Sequence, residues 1–160
     1  IRDSLCSISN ILCIIYLFNK NQLLGEFVYY LGLLGGIHAL LTPEFNTGVI
    51  GYNFYSFFIG HGGLLLVVLY MVKHNGFVPR PKSWLRIFGY SQFVVLSVGI
   101  MNYAIGTNYM FLRARPTAEN PLIIGAWPFY LITFELAAIS HFWLFYLPFA
   151  RKNKRAALAL

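Results

Sequence analysis

Residues Tyr52 to Met71 read YNFYSFFIGHGGLLLVVLYM, a run apolar enough to cross a bilayer that carries His61 between Gly60 and Gly62-Gly63. An ionisable side chain inside such a span is costly, so it faces a protein interior or a watery cavity and is a functional candidate by default. The flanking glycines offer no side chain, so a neighbouring helix or a ligand can come close to the imidazole. We expect the other helices to gather around His61. The plainer alternative is a histidine that only donates one hydrogen bond to a nearby carbonyl.

Composition sets the class. Of 160 residues, 58% are hydrophobic and only 11% charged, and mean hydropathy is +0.64. A soluble domain of this size needs more polar surface, which leaves an all-α, polytopic transmembrane helix bundle. The net charge of +7 does not mark a nucleic-acid partner, because the basic residues fall in loops and tails between apolar runs. Membrane lipids are the expected partners.

Outward from Tyr52, the pattern repeats. A preceding run, Leu23 to Leu41, ends at Thr42-Pro43 and holds Gly32-x-x-x-Gly36, a spacing that permits close helix contact. Glu26 stands near its other end, within reach of the interface. Before it, Leu5 to Phe18 is short of the roughly 20 residues a span needs. We expect that span to begin before Ile1, in N-terminal sequence missing from this chain. Its polar members Cys6, Ser9, Asn10 and Cys13 share one helical face, which should point into the bundle. Cys6 and Cys13 are about 10 Å apart along the axis, too far for a disulfide. After the basic loop from Lys73 to Arg86 come spans from about Leu85 to Ile105 and from about Ile124 to Phe149, then the tail Arg151-Lys152-Asn153-Lys154-Arg155. We therefore expect residues 1–160 to form one transmembrane domain of about five spans, the C-terminal part of a longer protein.

Five spans place Lys20, Lys73, Arg80, Lys82, Arg86, Arg151, Lys152, Lys154 and Arg155 on one side, against Arg2, Arg113 and Arg115 on the other. The excess of positive charge predicts a cytoplasmic C-terminus in a multi-pass plasma-membrane protein. By helical rise, Cys6, His38, His61, Asn102 and Glu135 then lie in the outer half, with His61 on the order of 10 Å in. A cysteine and a histidine in one cavity have the types needed for acyl transfer: the imidazole takes the thiol proton and the thiolate attacks a carbonyl. Asn102, Tyr103 or Asn108 could donate to the oxyanion, and Arg113 and Arg115 could grip a lipid phosphate. With His38 and Glu135 these make up the candidate substrate-binding set. Each has a bland alternative: Cys6 as a small packing residue, His38 as a helix-end or interfacial group, the arginines as solvated loop charges. A metal centre of His38, His61 and Glu135 stays open as an alternative, although no recognised ligand spacing supports it. No metal or cofactor is expected.

Several motifs also carry a family likeness. LCSISN at Leu5 to Asn10, LTPE at Leu41 to Glu44, FFIGHG at Phe57 to Gly62, NY-x-x-GTNYMFL at Asn102 to Leu112, and WPFY at Trp127 to Tyr130 with Glu135 following together resemble the bacterial YwaF-like integral membrane family. That family is related to eukaryotic transmembrane protein 164, a lipid acyltransferase, and more distantly to the androgen-induced-gene-1 hydrolases. The resemblance implies that Cys6 and His61 are the catalytic pair of a lipid acyltransferase or hydrolase acting in an outer-leaflet cavity. The hydrolases carry threonine in place of cysteine, so the nucleophile varies across the wider group. The competing reading is a non-enzymatic lipid-binding or transport protein.

Overall fold

The structure, a computed structural model, describes residues 4–43, 51–115 and 124–158, with side chains for 8–43, 51–115 and 124–150. Its helices are α1 (Ser4–Asn19), α2 (Gln22–Leu41), α3 (Tyr52–Lys73), α4 (Ser83–Ile105) and α5 (Phe129–Leu158), with a single 3-10 turn at Tyr109–Phe111. No strand occurs among the described residues. Helices α2, α3 and α4, together with Phe129–Ala150 of α5, are long and apolar enough to cross a membrane, whereas α1 is a shorter apolar helix.

Local chemistry explains the boundaries. Lys20 takes a left-handed conformation (φ 50°) that stops α1, and the Asn21 side chain caps α2 by accepting from the Leu23 and Leu24 amides at 3.0 and 3.1 Å. So short a link forces α1 and α2 into an antiparallel pair. Gly106 closes α4 at φ 70°, a backbone shape glycine adopts without strain. Helix α5 differs from expectation at both ends. It starts at Phe129 rather than Ile124, after Trp127-Pro128, and it continues through Pro148 and the basic tail to Leu158. The tail is rich in alanine, leucine, lysine and arginine, all strong helix formers, so charge alone did not end the helix.

The organising element is α2, which corrects the expectation that the helices gather around α3. Helix α2 packs against α1, α3, α4 and α5, and it buries Gly25, Glu26, Val28, Tyr29, Tyr30, Leu31, Gly32 and Gly36. Its glycines allow this. A Cβ on Gly25 would lie 2.6 Å from the Phe77 ring and 2.7 Å from Tyr16, and one on Gly36 would lie 2.8 Å from Leu65 and 3.3 Å from the His61 carbonyl. Gly32 and Gly36 therefore seat α3, as their spacing suggests. On the other flank, the Tyr29 hydroxyl donates to the Phe145 carbonyl at 2.9 Å and Tyr30 meets the Phe142 ring, which hold α5. The expected inward face of α1 is visible in buried Ser9 and Cys13, with Tyr16 extending it. Outward, Leu66, Leu69, Phe93, Leu96, Ile100, Ile132 and Leu136 are exposed. These apolar faces suit contact with lipid.

Buried Glu26 is not the interfacial group expected. It is wholly enclosed and receives the Arg80 backbone amide, Arg80 Nε and Arg80 Nη2, each at 2.9 Å. Arg86 stands 3.6 Å away. The carboxylate thus fastens the loop between α3 and α4 onto α2, and its hydrogen bond raises the Arg80 pKa. Gln22 adds a bond to the Val78 carbonyl at 2.9 Å, and Tyr30 pairs with Ser83 at 2.8 Å. These contacts put Lys20, Lys73, Arg80, Lys82 and Arg86 at one end of the bundle, and the loop carrying Arg113 at the other.

Candidate functional site

His61 lies on α3, 4% exposed. Its Nδ1–H donates to the Phe57 carbonyl one turn back at 2.8 Å, and the Phe57 ring stands 4.2 Å from the imidazole. A carbonyl only accepts, so Nδ1 carries a proton and Nε2 is the ring nitrogen left to exchange one. The nitrogen free to act as a base is therefore defined. Of the surrounding glycines, Gly60 faces α1, where a Cβ would come 3.4 Å from Asn10 Nδ2; at Gly62 or Gly63 a Cβ would meet nothing within 4 Å. Helix α3 thus presents its histidine turn to α1 and α2 while leaving open space beside the two following glycines. Cys6 falls within α1, and its side chain lies outside the described residues.

Asn10 was legible only as part of the polar face of α1. The structure adds that it lies against Gly60, and at helical spacing position 6 stands one turn from position 10 on that face.

The other candidates separate into distinct places. His38 meets His141 of α5, ring centres 4.9 Å apart. It faces away from α3, since it stands two residues, about 200° of helical turn, from Gly36. Glu135 accepts from Gln92 Nε2 of α4 at 2.9 Å, as expected of a carboxylate that cannot face hydrocarbon alone. It borders an open groove of about 370 Å³ lined also by Phe88, Leu131, Ile132, Leu136 and Ile139. Among the described residues, no three or more of His, Cys, Asp and Glu gather as a metal cluster, so His38, His61 and Glu135 do not converge.

Asn102 is fully buried and knots the loop after α4. Its Nδ2 donates to the Tyr109 carbonyl at 2.8 Å, while Oδ1 accepts from Thr107 Oγ1 at 2.9 Å and from the Tyr109 amide at 2.8 Å. Arg113 Nη1 donates to the Asn102 carbonyl at 3.1 Å. Asn108 Oδ1 accepts from the Arg113 and Ala114 amides, and its Nδ2 donates to the Ala114 carbonyl at 2.9 Å. The Tyr130 hydroxyl donates to the Phe111 carbonyl and Trp127 Nε1 to that of Leu112 at 3.1 Å, tying α5 to this loop. Asn102 and Asn108 therefore have visible structural tasks. Tyr103 is 87% exposed, and Arg113 and Arg115 are exposed.

A direct consequence concerns Asn102→Leu. The change strands the Tyr109 amide and carbonyl and the Thr107 hydroxyl, and should cost about 2–4 kcal/mol of stability. Tyr103→Leu, one residue on but outside the knot, should cost little. Thermal unfolding in detergent checks the contrast; equal losses would deny Asn102 its role.

Comparison with known proteins adds the last observation. No curated protein and no solved structure matches the chain. Residues 4–146, which run from the start of α1 into the second half of α5, match the TMEM164 family. The chain is a multi-pass membrane protein and belongs to the TMEM164 family.

Proposed function

We propose that this protein is a lipid acyltransferase or hydrolase whose membrane-embedded site uses Cys6 as nucleophile and His61 as base. The observation that carries this reading is the His61 tautomer: Nδ1–H is spent on the Phe57 carbonyl, so Nε2 is the proton acceptor in a buried position. Asn10 against Gly60 supports it, because position 6 lies one turn from that contact on the same face of α1. The resemblance of the LCSISN and FFIGHG segments to the acyltransferase group supports the pairing.

The chemistry is acyl transfer through a thioester intermediate. His61 Nε2 takes the thiol proton, and the thiolate adds to the ester carbonyl of a phospholipid. The tetrahedral adduct collapses, breaking the carbon–oxygen bond, and the imidazolium returns its proton to the departing alkoxide. The acyl thioester is then attacked by an acceptor hydroxyl, giving transfer, or by water, giving hydrolysis. His61 removes the proton of that nucleophile, and the thiolate leaves to recover it. Asn102, Tyr103 and Asn108 remain oxyanion-donor candidates, Arg113 and Arg115 headgroup candidates, and Glu135 a further substrate contact, whereas His38 faces away from α3 toward His141.

A thiol-reactive lipid analogue added to the detergent-solubilised protein should label Cys6. Labelling should vanish in Cys6→Ala and slow strongly in His61→Ala. Equal labelling of Cys6→Ala would instead favour a protein that binds or moves lipid without chemistry.

The same reading includes an orientation in the plasma membrane. The basic end of the bundle, with the tail, is cytoplasmic, so the histidine turn opens to the outer leaflet. Single cysteines introduced near Arg113 should react with an impermeant maleimide in intact cells, whereas those near Lys82 should not. The reverse pattern would invert the protein.

A further inference from the structure

The histidines outside the proposed catalytic pair also have chemistry to account for. His141 donates its Nδ1–H to the Ala137 carbonyl at 2.7 Å, which leaves Nε2 with the lone pair. Metal-binding histidines are commonly held in this way, with one ring nitrogen fixed by a backbone carbonyl and the other presented to the ion. On the facing helix, His38 Nε2 is buried and has no hydrogen-bond partner. An enclosed polar atom left unpaired is costly, so it calls for a partner. The two rings stand 4.9 Å apart, centre to centre, at an interplanar angle of 73°. Two imidazoles on one tetrahedral ion, with metal–nitrogen distances near 2.0 Å, have ring centres about 5 Å apart.

We propose that His38 of α2 and His141 of α5 form a two-imidazole site for a late first-row transition ion of the copper or zinc type. Imidazole suits these ions and not magnesium or calcium, which prefer oxygen. His38 lies within one turn of the end of α2 at Leu41, and His141 lies well inside α5. The two ligands lie 103 residues apart in sequence, so a bound ion clamps α5 onto α2 in addition to the Tyr29 hydroxyl's bond to the Phe145 carbonyl. The site stands on the opposite side of α2 from His61 and does not depend on the proposed acyl chemistry.

Copper(II) added to the purified full-length protein, followed by pulsed electron paramagnetic resonance, provides the test. One ion per chain coupled to two imidazoles is expected. His38→Gln and His141→Gln should each reduce this to one imidazole and weaken binding at least tenfold, while His74→Gln should leave both signals intact. Because the imidazole count is read on the unaltered protein, a variant that fails to fold does not blunt the result. A wild-type spectrum with fewer than two coupled imidazoles, or one unchanged in both variants, would overturn the site.

Discussion

Replacing Arg80 by alanine should cost about 3 kcal/mol of stability. The estimate takes the low end of what is lost when one partner of a buried ion pair is removed, because the Arg80 side chain is 43% exposed while Glu26 is wholly enclosed. In the variant, Glu26 keeps the backbone amide at position 80 and loses both guanidinium bonds. Arg86, at 3.6 Å, recovers part of the charge compensation. Arg86→Ala should therefore be mild alone, and Arg80→Ala with Arg86→Ala should exceed the sum of the singles, since each arginine relieves loss of the other. Glu26→Gln keeps the shape but removes the charge, and should fall between. Thermal unfolding of the four variants in detergent, followed by helical content, measures the series. A silent Arg80→Ala would mean the carboxylate does not anchor the loop.

That anchor was not visible in the sequence. Glu26 and Arg80 are 54 residues apart, and in one dimension Glu26 was simply a charge near the end of an apolar run. The spans themselves were legible, because hydropathy and length suffice to mark them. The boundaries of α2, α3 and α4 fall within about two residues of expectation, set by Asn21, Pro79-x-Pro81 and Gly106. Gly32 and Gly36 were legible as a contact face for the same local reason. What one-dimensional patterning could not supply was the partner of each face. It placed His61 at the centre, whereas three spaced glycines and the side chains of Tyr29 and Tyr30 make α2 the helix that others cover. It grouped His38 with His61, whereas the helical turn beyond Gly36 sends His38 toward His141. Asn102 was legible as a polar group at a helix end. Its knot with Thr107, Tyr109 and Arg113 depends on how the chain doubles back after Gly106, which no periodicity encodes. The proposed catalytic pairing rests on residue chemistry, the resemblance, and the positions of Asn10 and Gly60.

The largest functional effect is expected at that pair. If His61 Nε2 removes the proton that makes Cys6 a nucleophile, the two residues act on one step, and losing either loses the step. Cys6→Ala, His61→Ala and the double variant should then show similar, non-additive losses of roughly 10³-fold or more. His61→Ala also releases the Phe57 carbonyl, which already accepts from its own helix, so the fold should tolerate it. Cys13→Ala is the internal control: it removes a buried thiol about two turns further along α1 and should retain activity. Acyl exchange on phospholipid in proteoliposomes, with thermal unfolding of each variant alongside, is the most direct measurement. The account predicts that Cys6→Ala, His61→Ala and the double variant fold and are equally inactive, with Cys13→Ala active. Full activity in folded Cys6→Ala would contradict it.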